Sequence, residues 1–144
     1  MSYNSVFKPG LFSGQTIIVT GGGSGIGRCT AHELAHLGAH VVLVGRSLDK
    51  LQVTQAEIIG DGGEASYHSC DIRDEEAVKA MITAVLAERG RIHHLVNNAG
   101  GQYPAPLSMI NQKGFEAVVR NNLVGGFLIA REVFNQCMSK HGGS

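Results

Sequence analysis

The residues best suited to chemistry come early in the chain, in "TGGGSGIG", Thr20 to Gly27. Gly21 suits a tight turn, Gly25 lets backbone approach a pyrophosphate, and Gly27 allows a helix to pack closely on a strand. Ser24, Ile26 and their neighbours would then open a helix whose N–H donors and dipole favour a bound anion. The plain alternative is a glycine-rich turn, which a strand before and a helix after argue against. A second, incompatible signature overlaps it: "HELAH", His32 to His36, spells the H-E-x-x-H of a zinc hydrolase helix, with Glu57 placed 21 residues after His36 as an imaginable third ligand.

Further candidates follow at intervals. "GRS" sets Arg46 and Ser47 where many dinucleotide sites carry an acid; a carboxylate there repels a ribose 2′-phosphate, whereas a guanidinium beside a hydroxyl attracts one. "CDIRDEE" offers Asp71, either a site residue or a helix N-cap. "NNAGG", residues 97–101, joins two amides to small residues, either lining a nucleotide or making an Asn-Gly turn. Asn122 stands alone in the apolar run "NLVGGFLIA", where its amide needs partners, and Gly125 and Gly126 cost the helix roughly 1 kcal/mol each relative to alanine unless close packing compensates.

The elements that must position these residues alternate. "QTIIVT" and "HVVLVG" are short β-branched runs suited to strands buried on both faces. Between them, "GIGRCTAHELAHLG" places Ile26, Thr30, Leu34 and Leu37 on one helical stripe and ends at Gly38; with that stripe toward the sheet, His32 and His36 face the flank or solvent, away from any cleft. Ser47 can cap a helix to about Ile59, "EASYHSCD" suggests a third strand, "RDEEAVKAMITAVLAERG" an amphipathic helix, "HHLVNN" a fourth strand, and residues 111–140 one long helix. The pattern predicts an α/β fold, a doubly wound parallel sheet of Rossmann type in one domain, 1–144, with ligands beyond the carboxyl ends of the strands.

Composition excludes several classes. The 144 residues are 43% hydrophobic and 17% charged, ordinary for a globular chain, and twelve basic residues balance twelve acidic ones. No like-charge block suggests nucleic acid or an anionic membrane, so a small-molecule partner is expected. Cys29, Cys70 and Cys137 form neither a disulfide framework nor a C-x-x-C pair, and neither an apolar signal segment nor a membrane span is present, which together point to a reducing, cytoplasmic setting.

"TGGGSGIG", "CDIRD", "NNAGG" and "NNLVGG", in that order and spacing, resemble the short-chain dehydrogenase/reductase family along the whole chain. The resemblance implies that Gly21, Ser24, Gly25, Ile26 and Gly27 hold the pyrophosphate. It gives Arg46 and Ser47 the adenosine ribose phosphate, Asp71 and Ile72 the adenine, and Asn98, Ala99 and Gly100 the cofactor's ribose. Asn122 matches the family asparagine that kinks this helix and holds a water in the proton relay, the one catalytic position expected here. NADP(H) is the expected cofactor, with NAD(H) the alternative, and no metal is expected. The long helix, residues 111–139, implies a homo-oligomer. "GGQYPAPLSMINQKGFEAVVRNNLVGGF" and "KHGGS" are most similar to enoyl-CoA reductases of the peroxisomal type and to bacterial terpenoid-alcohol dehydrogenases, so a peroxisomal setting stays open beside the cytoplasmic one.

The chain departs from the family where its catalytic serine and Tyr-x-x-x-Lys pair belong. It stops at "KHGGS", where a fifth strand is due, and none of Tyr3, Tyr67 and Tyr103 has a lysine four residues on. Hydride transfer needs a matching proton. The expectation is therefore the cofactor-binding N-terminal portion of an oxidoreductase for an alcohol, carbonyl or enoyl substrate, inactive by itself. A non-catalytic nucleotide-binding or assembly module is the alternative, and a zinc hydrolase through His32, Glu33 and His36 the remote one.

Overall fold

The computed structural model describes residues 5–144. Four parallel strands, β1 (Thr16–Thr20), β2 (His40–Gly45), β3 (Glu64–Ser69) and β4 (His94–Val96), lie in the order β3-β2-β1-β4. The helices α1 (Gly25–His36), α2 (Leu48–Gly60) and α3 (Glu75–Arg89) make the crossovers. The order reverses at β1, which pairs with β2 on one side (Val19 opposite Leu43) and β4 on the other (Val19 opposite Val96), so loops on both sides of β1 diverge and leave a crevice at its carboxyl end.

The central strands are apolar on both faces because both faces are covered. Ile17, Val19, Val41 and Leu43 pack with Ala31, Ala35, Leu51 and Ile58 of α1 and α2. Ile18, Val42 and Val44 pack on the opposite face with Val78, Ile82 and Val85 of α3 and with Ile129 and Val133. Each fully buried aliphatic side chain contributes about 1.5–3 kcal/mol. The loops at the strand ends therefore ride on a rigid base.

The face of α1 differs from the expected stripe. Gly27, Ala31 and Ala35 point at the sheet; Ile26 is 78% exposed, and Thr30 turns its hydroxyl back to the Ile26 carbonyl. Leu34 packs at the flank and Leu37 beyond the helix end. Close approach at Gly27 rotates the helix so that its smallest residues face inward, and residue size, not hydrophobicity alone, selects the face. Leu37 is the C-cap, with Gly38 following at φ +95°.

The long helix is also not uniform. It runs as α4 (Gln112–Val119), a π-helical turn Arg120–Val124, α5 (Gly125–Val133), a second π turn Phe134–Met138, and α6 (Ser139–His141). The cost of Gly125 is met inside the chain, since a Cβ there would lie 2.8 Å from the Ile72 side chain. Beyond α6, Ser144 pairs with β4 in parallel fashion: its N–H donates to the His93 carbonyl (3.2 Å) and its carbonyl accepts from Leu95 (2.8 Å).

Candidate functional site

The glycine loop follows β1 directly. Gly21 has φ +70°, a conformation that glycine adopts without penalty, and its N–H donates to the Val44 carbonyl at 2.7 Å. A Cβ on Gly27 would lie 2.4 Å from the Gly21 carbonyl oxygen and 2.5 Å from Asn98 Nδ2, so loop, helix and the β4 loop meet at one point that admits only hydrogen. Gly25, at φ +53°, faces open space. Ser24 occupies the N-cap of α1 without a side-chain cap bond, which leaves the first-turn N–H groups directed outward as anion donors.

The loops after all four strands enclose one cavity of about 450 Å³. Of the expected site residues, Gly21, Ser24, Arg46, Ser47, Asp71, Ile72, Ala99 and Gly100 line it. Gly25 and Ile26 are exposed at the start of α1, while Gly27 and Asn98 are packed together behind the loop. Asn98 spends its amide donor on the Thr20 carbonyl (2.9 Å), and Asn97 donates to the Gly126 carbonyl (2.8 Å).

Asp71 is not the cap of α3; Asp74 is, accepting from the Ala77 N–H. Asp71 instead receives Arg73 through its backbone N–H (3.0 Å) and its guanidinium (Nε 2.8 Å, Nη2 2.5 Å). The guanidinium hydrogen bonds hold the carboxyl down to about 2, so it is ionised and acceptor-only at neutral pH. Beside it, burial pushes the Cys70 thiol up to about 11, with the Asp71 and Asp74 charges adding to the effect, so a neutral thiol lines the wall.

Asn122 lies in the first π turn rather than in the cavity wall. Its Nδ2 donates to the carbonyls of Gly101 (2.7 Å) and Val118 (2.9 Å), and its Oδ1 accepts from the Gly101 N–H (3.2 Å). A Cβ on Gly100 would lie 2.4 Å from Asn122 Oδ1. The amide thus fastens residues 100–101 to a helix that widens where it does so.

Three contributors escape sequence reasoning. Thr20 Oγ1 accepts from the N–H groups of Asn98 (3.0 Å) and Ala99 (2.9 Å) and ties the β4 loop to β1. Lys50 and Asn121 line the cavity. Lys50 was detectable in principle, since it lies in the first helical turn after the strand end that carries Arg46.

The "HELAH" residues do other work. His32 Nε2 lies 3.2 Å from Glu57, which also takes Arg28, and Glu33 accepts from the Ser5 hydroxyl. The space beside His32 and His36 is about 10 Å³, and among the described residues no group of three or more His, Cys, Asp or Glu side chains could hold a metal ion.

The short chain dehydrogenase family matches residues 15–144. The chain belongs to this family. A citronellol catabolism dehydrogenase from Pseudomonas aeruginosa PAO1 is 72% identical, with a TM-score of 0.94 over 98% of this chain and 58% of its own. A metagenomic short-chain oxidoreductase in complex with NADP is 41% identical, with a TM-score of 0.80 over 88% of this chain and 57% of its own. The peroxisomal 2,4-dienoyl-CoA reductase of Mus musculus is 32% identical over 98% of this chain and 49% of its own. The chain spans about half the length of the curated relatives it matches. Members of the short-chain dehydrogenase family are oxidoreductases that use a nicotinamide dinucleotide, and the cavity lies where a doubly wound sheet of this kind binds one. Among the described residues no helix is long and apolar enough to cross a membrane.

Proposed function

We propose that these residues form the NADP(H)-binding part of an oxidoreductase acting on an alcohol, carbonyl or enoyl substrate. The observation that carries this reading is the cavity wall after β2, where Arg46 and Ser47 stand and no carboxylate does. Its single lining acid, Asp71, is already ion-paired with Arg73. A 2′-phosphate fits that wall; the uncapped start of α1 fits a pyrophosphate; the ionised Asp71 carboxylate fits an adenine amino group.

A bound nicotinamide cofactor would supply or accept the hydride. Gly21, Ser24, Gly25 and Ile26 would cradle its phosphates, with Gly27 packed behind them to hold helix and loop together; Asp71 and Ile72 would border the adenine, and Ala99 and Gly100, held by Asn98 and Asn122, would leave room for the ribose. Asn122 is the catalytic candidate; with both amide protons committed to the Gly101 and Val118 carbonyls, it would hold a water only as an acceptor. The cavity's lining titratable groups are two cations, an ionised carboxylate and a neutral thiol. The accompanying proton is proposed to come from a group outside this cavity.

The likeness to a citronellol catabolism dehydrogenase supports a hydrophobic alcohol or its oxidised derivative as substrate, and the dienoyl-CoA reductase an enoyl thioester. Leu123, Phe127 and Phe134 leave an apolar face on the long helix, 57–68% exposed, which suits a second copy of the chain.

Fluorescence titration of the full-length protein tests the cofactor assignment. NADPH should bind at least tenfold more tightly than NADH, and Arg46→Asp should abolish that difference. Equal affinity in the unsubstituted protein would overturn the assignment.

A further inference from the structure

The wall that holds Arg46 and Ser47 contains a second cation whose presence no motif explains. Lys50 lies in the first turn of α2 and lines the same cavity. Its stem starts at a fixed place, because α2 is pressed against the glycine loop. A Cβ on Gly23 would lie 3.0 Å from Lys50 Cβ and 3.3 Å from the Leu51 backbone nitrogen.

The charge on Lys50 is uncompensated. Among the described residues, neither Arg46 nor Lys50 has a carboxylate within ion-pair distance, and Arg73 already occupies the cavity's lining acid. Ser47 holds the N-cap of α2 but makes no side-chain cap bond, which leaves its hydroxyl available. A lysine in a first turn also opposes the helix dipole, so its placement has a small local cost. Arg46 feels the Asp71 charge across the cavity but makes no ion pair with it; two cations and a hydroxyl on one wall, none in an ion pair, describe a receptor for a phosphate dianion rather than for a ribose diol.

We infer that Lys50 is a second specificity-determining residue of the 2′-phosphate subsite, sharing the phosphate with Arg46. The inference rests on the NADP(H) reading above. Arg46 presents a planar fork at the strand end, and Lys50 approaches from α2 as a point charge. The shared phosphate would pin the start of α2 against the glycine loop.

The test uses the full-length protein with Lys50→Gln, Lys50→Arg and Arg46→Ala, titrated with NADPH and NADH and with adenosine 2′,5′-bisphosphate against ADP. The second pair reads the subsite without the nicotinamide. Lys50→Gln should weaken NADPH and the bisphosphate about five- to tenfold, the loss expected for one charge-assisted contact at an exposed site, and leave NADH and ADP within about twofold. Lys50→Arg should restore most of the loss. Added salt should narrow the NADPH advantage less in Lys50→Gln than in the unsubstituted protein.

If Arg46→Ala weakens NADPH selectively while Lys50→Gln does not, or weakens NADH equally, the role of Lys50 is refuted and the cofactor reading stands. If the unsubstituted protein does not distinguish the two cofactors, both fail together.

Discussion

Thr20→Val tests whether the candidate site is built from β1 outward. Thr20 is fully buried, and its hydroxyl accepts the N–H groups of Asn98 and Ala99 at 3.0 and 2.9 Å. Valine keeps the shape and removes the acceptor. Two partly buried donors are then left unsatisfied, at about 1–3 kcal/mol each, so a total loss of about 2–6 kcal/mol is expected, a large share of a typical domain's stability. Urea unfolding of the full-length protein should show the loss as a lower midpoint with an unchanged slope. NADPH affinity should fall in parallel, because residues 98–100 lose their anchor to β1. Thr20→Ser keeps the acceptor and gives up a methyl group, about 1 kcal/mol. A cost under about 0.5 kcal/mol for Thr20→Val, or serine as damaging as valine, would show that the Thr20 hydroxyl does not anchor the β4 loop.

Other outcomes follow from the same geometry. Gly27→Ala drives a Cβ into the Gly21 carbonyl oxygen and should lower NADPH affinity more than tenfold while the NADPH-to-NADH ratio, set at Arg46, is retained. Arg73→Ala should let the Asp71 carboxyl rise from about 2 toward the ordinary value near 4, read by carboxyl NMR titration; an unmoved value would show that Arg73 is not the cause. Burial lowers His40, and burial with the charges of Arg91 and His94 lowers His93, whose Nδ1 accepts the Thr16 N–H at 2.9 Å. The unfolded chain therefore binds more protons just below pH 6.5, so stability is fullest above that pH and falls as acid is added, by at most about 1.4 kcal/mol per pH unit per histidine. His93→Asn, which can accept the Thr16 N–H without titrating, should flatten part of that slope in thermal melts between pH 7 and 5; an unchanged slope would exclude His93 as a source.

Much of this architecture is readable locally. The β-branched runs of β1 and β2 mark strands covered on both faces, and the glycine spacing after Thr20 announces a turn that closes on a helix. What escapes is set by tertiary approach. The sheet-facing side of α1 is governed by the contact of Gly27 with Gly21 and Asn98, so alanines face inward where periodicity favours Ile26. The π turn at Arg120–Val124 depends on Asn122 reaching Gly101, 21 residues earlier in sequence. Thr20 looks like any strand-terminal threonine and Lys50 like any helix-surface lysine until the loops after four strands are brought together around one cavity.

A crystal structure of the full-length protein with NADP(H) tests the cofactor assignment most directly. The pyrophosphate should lie on the first turn of α1, the adenine beside Asp71 and Ile72, and the 2′-phosphate within hydrogen-bonding distance of Arg46 and Ser47. A cofactor bound elsewhere, or a 2′-phosphate turned away from Arg46 into solvent, would contradict that assignment.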